Sequence, residues 1–341
     1  MPAPPAAVRL SEVAEAAGVS IATASRSLRG LGGVSDAVAE KVRGIAEELG
    51  YVTNSYARTL AGGSTTIVGL ILNQIDDPYF TEIAAGVVRA AEEADLTVQI
   101  GHSTRDPQRE LKQIRSLVAQ RARAIIIAGS GYTDPQREAQ AKELLGRYEA
   151  GGGRAAVIGR HFLGVDAVLP DNKGAAGLVA RHLVELGHRE VIVLSGPARL
   201  TTVEDRQGEA VRVLKSSGAR SIVVETDFTG HDAGEAAVAA LRANPEATAV
   251  AALSDAMAID VLVGLRRAEI DVPGQASVTG VDDVSVAGLI SPSLTTAAFP
   301  LTELGREALL LTTRPQANRP RRKVIPAELV ARESTAPPPV R

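Results

Sequence analysis

Arg26 stands in the stretch VSIATASRSLRG (residues 19–30), where its neighbours are small apolar side chains and short hydroxyls. A guanidinium can donate two parallel hydrogen bonds to guanine O6 and N7, and Ile21 and Ala22 can lie against a thymine methyl. Ser20, Thr23 and Ser25 are short hydroxyls suited to phosphate oxygens. Ile21, Ala22, Ser25, Arg26 and Arg29 fall on one outward face if the stretch is helical, with Val19, Ala24 and Leu28 turned inward. This is the chemistry of base reading. The residues that would signal other chemistries are missing. The chain has no Cys, which excludes disulfides and thiol chemistry. Five scattered His residues make no metal-ligand spacing, so no metal is expected. No Gly-x-Gly-x-x-Gly follows a strand, and there is no P-loop and no Gly-x-Ser-x-Gly elbow. The pair Asp282-Asp283 alone does not make an acid–base site. No enzymatic activity and no cofactor are expected.

Those residues need elements to hold them. In VRLSEVAEAAGVSIATASRSL (8–28), Leu10, Val13 and Ala14 share one helical face, and Ser11 is the expected cap. Gly18 sits where a tight turn needs positive φ, and Ser20 caps the following helix. Two short helices around such a turn make a helix-turn-helix, whose second helix enters the major groove. A small helical hairpin with no DNA role has the same spacing. Charge adds weight to the hairpin: the net charge is −3, and the first 64 residues carry six Lys/Arg against six Asp/Glu.

From about residue 66 the pattern changes. Short Val/Ile-rich runs predict strands at 67–72, 97–101, 124–128, 155–159, 191–194, 222–224, 250–253 and 277–281, with amphipathic helical stretches between them. This alternation predicts an α/β architecture of parallel sheets covered by helices, and so many units suit two sheets better than one. No apolar run approaches the ~20 residues that span a bilayer, and the Pro/Ala-rich start lacks the pattern of a signal peptide. The expected setting is cytoplasmic, with no membrane partner.

Residues 49–64, LGYVTNSYARTLAGGS, closely resemble the third-helix exit and hinge of the lactose/galactose repressor (LacI/GalR) family, through Gly50, Tyr51, Asn54, Ala57, Arg58, Leu60, Gly62 and Ser64. The resemblance continues through TIVGLILNQIDDPYF (66–80), the segment at 106–127, LPDNKGAAGLVARHLVELGHREVIVLSG (169–196), DVPGQASVTGVDDVSVAGLISPSLTT (271–296) and IPAELVARES (325–334). It implies a three-helix headpiece over 1–52, a hinge helix and linker over 53–64, and a two-lobed sensor like a periplasmic sugar-binding protein. The lobes would be 65–164 with 295–323, and 165–294 with 324–336, followed by a disordered tail at 337–341. It also implies that Asn54, Tyr56, Ala57, Arg58 and Leu60 engage DNA, with Leu60 wedged into the minor groove. Such a wedge costs a few kcal/mol of unstacking, offset by added contacts. Packing within a linker helix is the plainer role for Leu60.

Ligands of open α/β sheets bind beyond the strand C-termini. By position the candidates are Asp77, Tyr79 and Phe80 after the first strand, Arg160 and Phe162 after the fourth, and Asp171 before a helix. Ser254, Asp255 and Asp282 lie at later strand ends, and Arg206 matches the family's effector-binding arginine. Carboxylates and arginines suit a hydroxyl-rich ligand, and Tyr79, Phe80 or Phe162 can stack on a sugar or base face. Asp171 is equally a natural helix cap, and Asp283 reads as structural. The chain departs from the family pattern at Ile21-Ala22, at Gly30-Leu31-Gly32-Gly33, at Glu209-Ala210 and at Ser254. The expected partners are therefore a pseudo-palindromic double-stranded operator, a small-molecule effector, for instance a sugar, and a second copy in a homodimer. No leucine heptad follows residue 314, so no coiled-coil tetramer is expected. A solute-binding protein without a DNA role is the competing function.

Overall fold

The computed structural model describes residues 8–30, 32–51, 65–228 and 232–340. They divide into two compact units, 1–65 and 66–341. In the first unit, α1 (Leu10–Ala17), α2 (Ile21–Arg29) and α3 (Asp36–Glu48) bury a core of Val13, Ala14, Ala17, Ala24, Val42 and Ala46. Side chains this small let the helices approach closely but bury little area each, so the unit depends on good turns. Gly18 ends α1 at φ 67°, the left-handed conformation that the turn requires. Ser20 caps α2 by accepting the Thr23 N–H at 3.1 Å. Ser11, expected as the cap of α1, is instead inside it. The cap position is Arg9, whose N–H donates to Glu12 Oε2 at 2.8 Å. A glutamate in the first turn took over the capping that a hydroxyl usually performs.

The second unit holds two six-stranded sheets. The first has the order β11–β5–β4–β3–β1–β2, formed by β1 (Ile67–Leu72), β2 (Thr97–His102), β3 (Ala124–Ala128), β4 (Arg154–Ile158), β5 (Asp166–Pro170) and β11 (Arg322–Ile325), all parallel. The second has the order β12–β10–β9–β8–β6–β7, formed by β6 (Glu190–Ser195), β7 (Arg220–Glu225), β8 (Ala249–Ala252), β9 (Ser277–Asp282), β10 (Thr295–Ala298) and β12 (Glu328–Val330). Only β12 runs antiparallel. Helices α4 (Pro78–Glu92), α5 (Pro107–Ala119), α6 (Ala139–Ala150) and α11 (Leu301–Thr313) belong with the first sheet. Helices α7 (Asn172–Leu186), α8 (Thr201–Ser216), α9 (Ala233–Ala243) and α10 (Asp255–Arg267) belong with the second.

The eight expected strands are present, with ends shifted by one or two residues. Four strands carry no strong strand signal. β5 begins with Asp and ends with Pro, β10 is Thr-Thr-Ala-Ala, β11 opens with Arg-Lys, and β12 has three residues. These are the crossing segments. The chain leaves the first sheet after Pro170, returns after Ala298 and crosses again between Ile325 and Glu328. Each crossing comes a few residues later than the expected 165, 294 and 323, because β5 and β11 complete the first sheet before the chain turns. Just before the expected tail, Ala336 O accepts from His188 Nε2 at 3.1 Å, and within it Pro338 lies beside Gly187. No helix among the described residues is long and apolar enough to cross a membrane.

Candidate functional site

On the headpiece, α2 presents Ile21, Ala22, Arg26 and Arg29 to solvent. Ile21 is 56% exposed. Arg26 makes no side-chain hydrogen bond or ion pair among the described residues. Arg29 folds back, its Nε donating to Ser25 O at 3.2 Å. Ser20 and Thr23 are joined at 2.9 Å while Ser20 caps the helix, so both hydroxyls already have a structural partner. Ser25 is half-buried. Asn54, Tyr56, Ala57, Arg58 and Leu60 lie outside the described residues.

The second site is a narrow cleft between the C-terminal ends of the two sheets. Its centre is Arg206 on α8, only 2% exposed. The guanidinium donates from Nε to Asn172 Oδ1 (2.8 Å), from one terminal nitrogen to Leu253 O (2.6 Å) and from the other to Asp282 Oδ1 (2.7 Å). A buried cation persists only when its donors are satisfied, and here three elements of the second lobe satisfy it. Burial pushes the Asp282 carboxyl up to about 6, against the opposing pull of Arg206. Asp282 and Asp283 both have positive φ, 128° and 58°, so the strand ends in strained backbone where it meets the cleft.

The first lobe supplies the facing wall. Asp77 caps α4 through the Tyr79 N–H (3.0 Å), and burial raises its pKa. Tyr79 and Phe80 meet edge to face at 5.0 Å. Arg105 lies 5.6 Å from the ring centre of Phe228, across the lobes, and its pKa is lowered by burial. Of the ten expected effector residues, Asp77, Tyr79, Phe80, Arg206, Ser254 and Asp282 line this one space. Asn73, Arg105, Ser130, Asn172, Thr202 and Phe228 join them and were missed. Asn73 directly follows β1 and Ser130 comes two residues after β3, so a consistent strand-end rule finds them. Arg105 and Phe228 sit in loops whose path only the fold sets.

Four expected contacts are elsewhere. Asp255 is fully buried behind the wall, accepting from the Thr296 hydroxyl (2.6 Å) and the Val284 N–H (3.0 Å). Its burial beside Asp282 raises its pKa to about 7. Asp171 caps α7 through the Gly174 N–H at 2.9 Å and faces an outer groove. Phe162 is 37% exposed, its N–H donating to Glu138 Oε2 at 2.6 Å. Arg160 is a clasp between lobes. It donates to Asp205 Oδ2 at 2.9 Å, to Thr201 O at 3.1 Å and to Glu204 Oε2 at 2.5 Å. Beside it the Thr202 N–H donates to Ser130 Oγ at 3.1 Å and the Thr201 N–H to Gly131 O at 3.0 Å. Asp283 pairs with Arg332 at 2.7 Å, the structural role expected of it. No group of three or more His, Asp or Glu among the described residues is placed to hold a metal.

A family profile described as bacterial regulatory proteins, lacI family, matches residues 9–54, and one described as a periplasmic binding protein-like domain matches 180–335. The HTH-type transcriptional regulator DegA of Bacillus subtilis (strain 168) is 30% identical over 336 residues, covering 96% of this chain and 97% of DegA. The HTH-type transcriptional regulator GalR of Escherichia coli (strain K12) is 30% identical over 337 residues, covering 96% of each. The chain belongs to the LacI family. It is a transcriptional regulator with a DNA-binding domain and a sensor domain, as the helix-turn-helix and hinge suggested, and neither an enzyme nor a solute-binding protein. The lac repressor dimer bound to operator and the anti-inducer ONPF shares the fold of this regulator, with a TM-score of 0.84 at 24% identity over 97% of this chain and all of that one. The complex of the transcriptional regulator CelR with cellobiose is 27% identical, with a TM-score of 0.70, over 96% of this chain and 99% of that one.

Proposed function

We propose that this LacI-family regulator acts as a homodimeric, cytoplasmic repressor on a pseudo-palindromic operator, and that a sugar or similar polyhydroxy metabolite in the cleft sets its affinity for DNA. Arg206 carries this reading. Its three partners fix it at the centre of a space walled by the other lobe, with Asp282, Asn172 and Asp77 in reach of hydroxyl groups. Two arginines and two aspartates line the space, a balance that suits an uncharged ligand with many hydroxyls. CelR binds cellobiose, and a LacI-family regulator of Enterococcus faecalis V583, 25% identical, binds ribose; both support this class. A ligand that touches both walls favours one angle between the lobes. It thereby shifts a two-state equilibrium by its difference in affinity for the two states. Residues 1–52 form the headpiece in this reading, 53–64 the hinge, and Leu60 kinks the operator.

The test begins with an operator selected from random duplexes by the full-length protein. Arg26→Ala is expected to weaken binding roughly 10- to 100-fold and to relax preference at one base pair, since one bidentate pair of hydrogen bonds is removed. Leu60→Ala is expected to weaken it as well. Unchanged affinity and preference in both variants overturns the DNA-reading assignment. A thermal-shift screen of sugars, polyols and nucleosides identifies the effector class, because a ligand of the native state raises the unfolding midpoint.

A further inference from the structure

We propose that the edge of the first sheet opposite the cleft is a second DNA-contacting surface, which holds phosphates of the duplex while the headpiece reads bases. This rests on the reading of the chain as a DNA-bound regulator, and it addresses a deficit in that reading. The first 64 residues carry six basic and six acidic side chains, so the headpiece brings no net positive charge to a polyanion. Phosphate neutralisation supplies most non-specific affinity for DNA, and unpaired basic side chains elsewhere in the chain would add to it.

Residues 314–323, RPQANRPRRK, hold five basic side chains and no acidic one. They join α11 to β11 and are exposed except for the half-buried Arg321. Because every strand of the first sheet is parallel, all its N-terminal ends share one edge, and its C-terminal ends all face the cleft. Arg322 opens β11 and Arg123 immediately precedes β3, three strands away in the order β11–β5–β4–β3. At about 4.8 Å per strand the row is about 14 Å long. The acids within it are already used: Asp166 is 6% exposed and paired with Arg154 and Arg321, each at 3.2 Å. Glu149 accepts the Ala155 N–H at 3.1 Å. Lys323 is taken by Glu307 at 2.7 Å. Arg123, Arg319 and Arg322 are exposed, and their side chains make no ion pair or hydrogen bond among the described residues. The free acids of the edge, Glu92, Glu93 and Asp95, gather at the far β2 end.

Two facts select DNA over another polyanion. β1 begins at Ile67, so the chain arriving from the DNA-binding unit enters the sensor at this same edge, next to β3. The row is also made of unpaired arginines without an apolar patch between them, which suits a phosphate backbone better than a protein surface, where aromatic and other apolar anchors carry the affinity.

The experiment measures binding of the full-length protein to a long random-sequence duplex across a salt titration. The triple variant Arg123→Ala/Arg319→Ala/Arg322→Ala removes three exposed side chains and, among the described residues, no side-chain hydrogen bond or ion pair. Its slope of log affinity against log salt is expected to be shallower than wild type by about 2 to 3 for each protomer that engages the duplex, at about 0.9 for each phosphate that is no longer neutralised. A control variant, Arg242→Ala/Arg266→Ala/Arg267→Ala, removes the same charge from exposed positions on the second lobe. It is expected to keep the wild-type slope. An unchanged slope in the first variant, or an equal fall in the control, overturns the proposal while leaving the regulator reading intact. A wild-type protein that binds no duplex at all overturns both.

Discussion

Arg206 shows how one buried side chain ties a sensor together. It reaches three elements of the second lobe, through Asn172 at the start of α7, Leu253 after β8 and Asp282 at the end of β9. Arg206→Lys keeps the charge but loses the planar fork. It is expected to leave Leu253 O or Asn172 without a donor, at a cost of about 1–3 kcal/mol for a buried unsatisfied group. The measurements are the unfolding midpoint and the thermal shift produced by the effector, and both are expected to fall. A variant with the wild-type midpoint and wild-type ligand shift contradicts the central role of this residue. Arg160 is a different case. Its carboxylate partners lie on the opposite lobe and it is one-third exposed, so its ion pairs join the lobes in a partly solvated setting where each contributes little to stability.

At the scale of elements, the closest approach is between α4 and α11, where two glycines let the backbones meet. A Cβ on Gly86 would lie 1.9 Å from Thr302 O, and one on Gly305 would lie 2.1 Å from Ile83 O. Neither neighbour is a flexible side chain, so the helices themselves must separate. Gly86→Ala adds helix propensity worth roughly 1 kcal/mol but imposes overpacking that costs about 1–3 kcal/mol or more. The net effect is expected to be destabilisation, read as a lower urea midpoint with an unchanged slope. A stabilised Gly86→Ala protein contradicts the close crossing.

At the scale of the whole molecule, buried ionisable groups link stability to pH. Burial raises Asp282 to about 6 and Asp255 and Glu110 to about 7. His161 lies above its usual value although burial opposes its charge, because Glu138 at 2.6 Å and Gly129 O at 3.1 Å both accept from its ring and Glu110 adds negative charge nearby. In each case the folded chain holds protons that the unfolded chain releases. The stabilisation is present at low pH and is lost as pH rises through the folded pKa. His182 and His188, lowered by burial, act the opposite way below about pH 6.5. The unfolding midpoint of the ligand-free protein is therefore expected to fall as pH rises through about 6 to 7, where these carboxyls lose their protons in the folded chain, and Asp255→Asn is expected to flatten that fall. A midpoint that rises over this window contradicts the assignment.

The sequence by itself determined the two-part organisation, eight of the twelve strands and the exposed face of α2. These follow from local causes: hydrophobic period, a capping serine, a glycine with positive φ. It also pointed to Arg206, through the family resemblance, and to Asp282, through its strand-end position, and both line the cleft. The tertiary structure decided what depends on crossings between the lobes. β5, β10, β11 and β12 have too few apolar β-branched residues to declare themselves and are strands because the two sheets accept them as neighbours. Arg160 and Asp171 sit at strand ends like true cleft residues, but carboxylates of the second lobe take the first and a helix N-terminus takes the second. Asp255 is one residue from the cleft-lining Ser254, and the direction of its helix turns it into the core. Arg105 and Phe228 enter the cleft from loops on opposite lobes, a meeting that no spacing along one chain encodes.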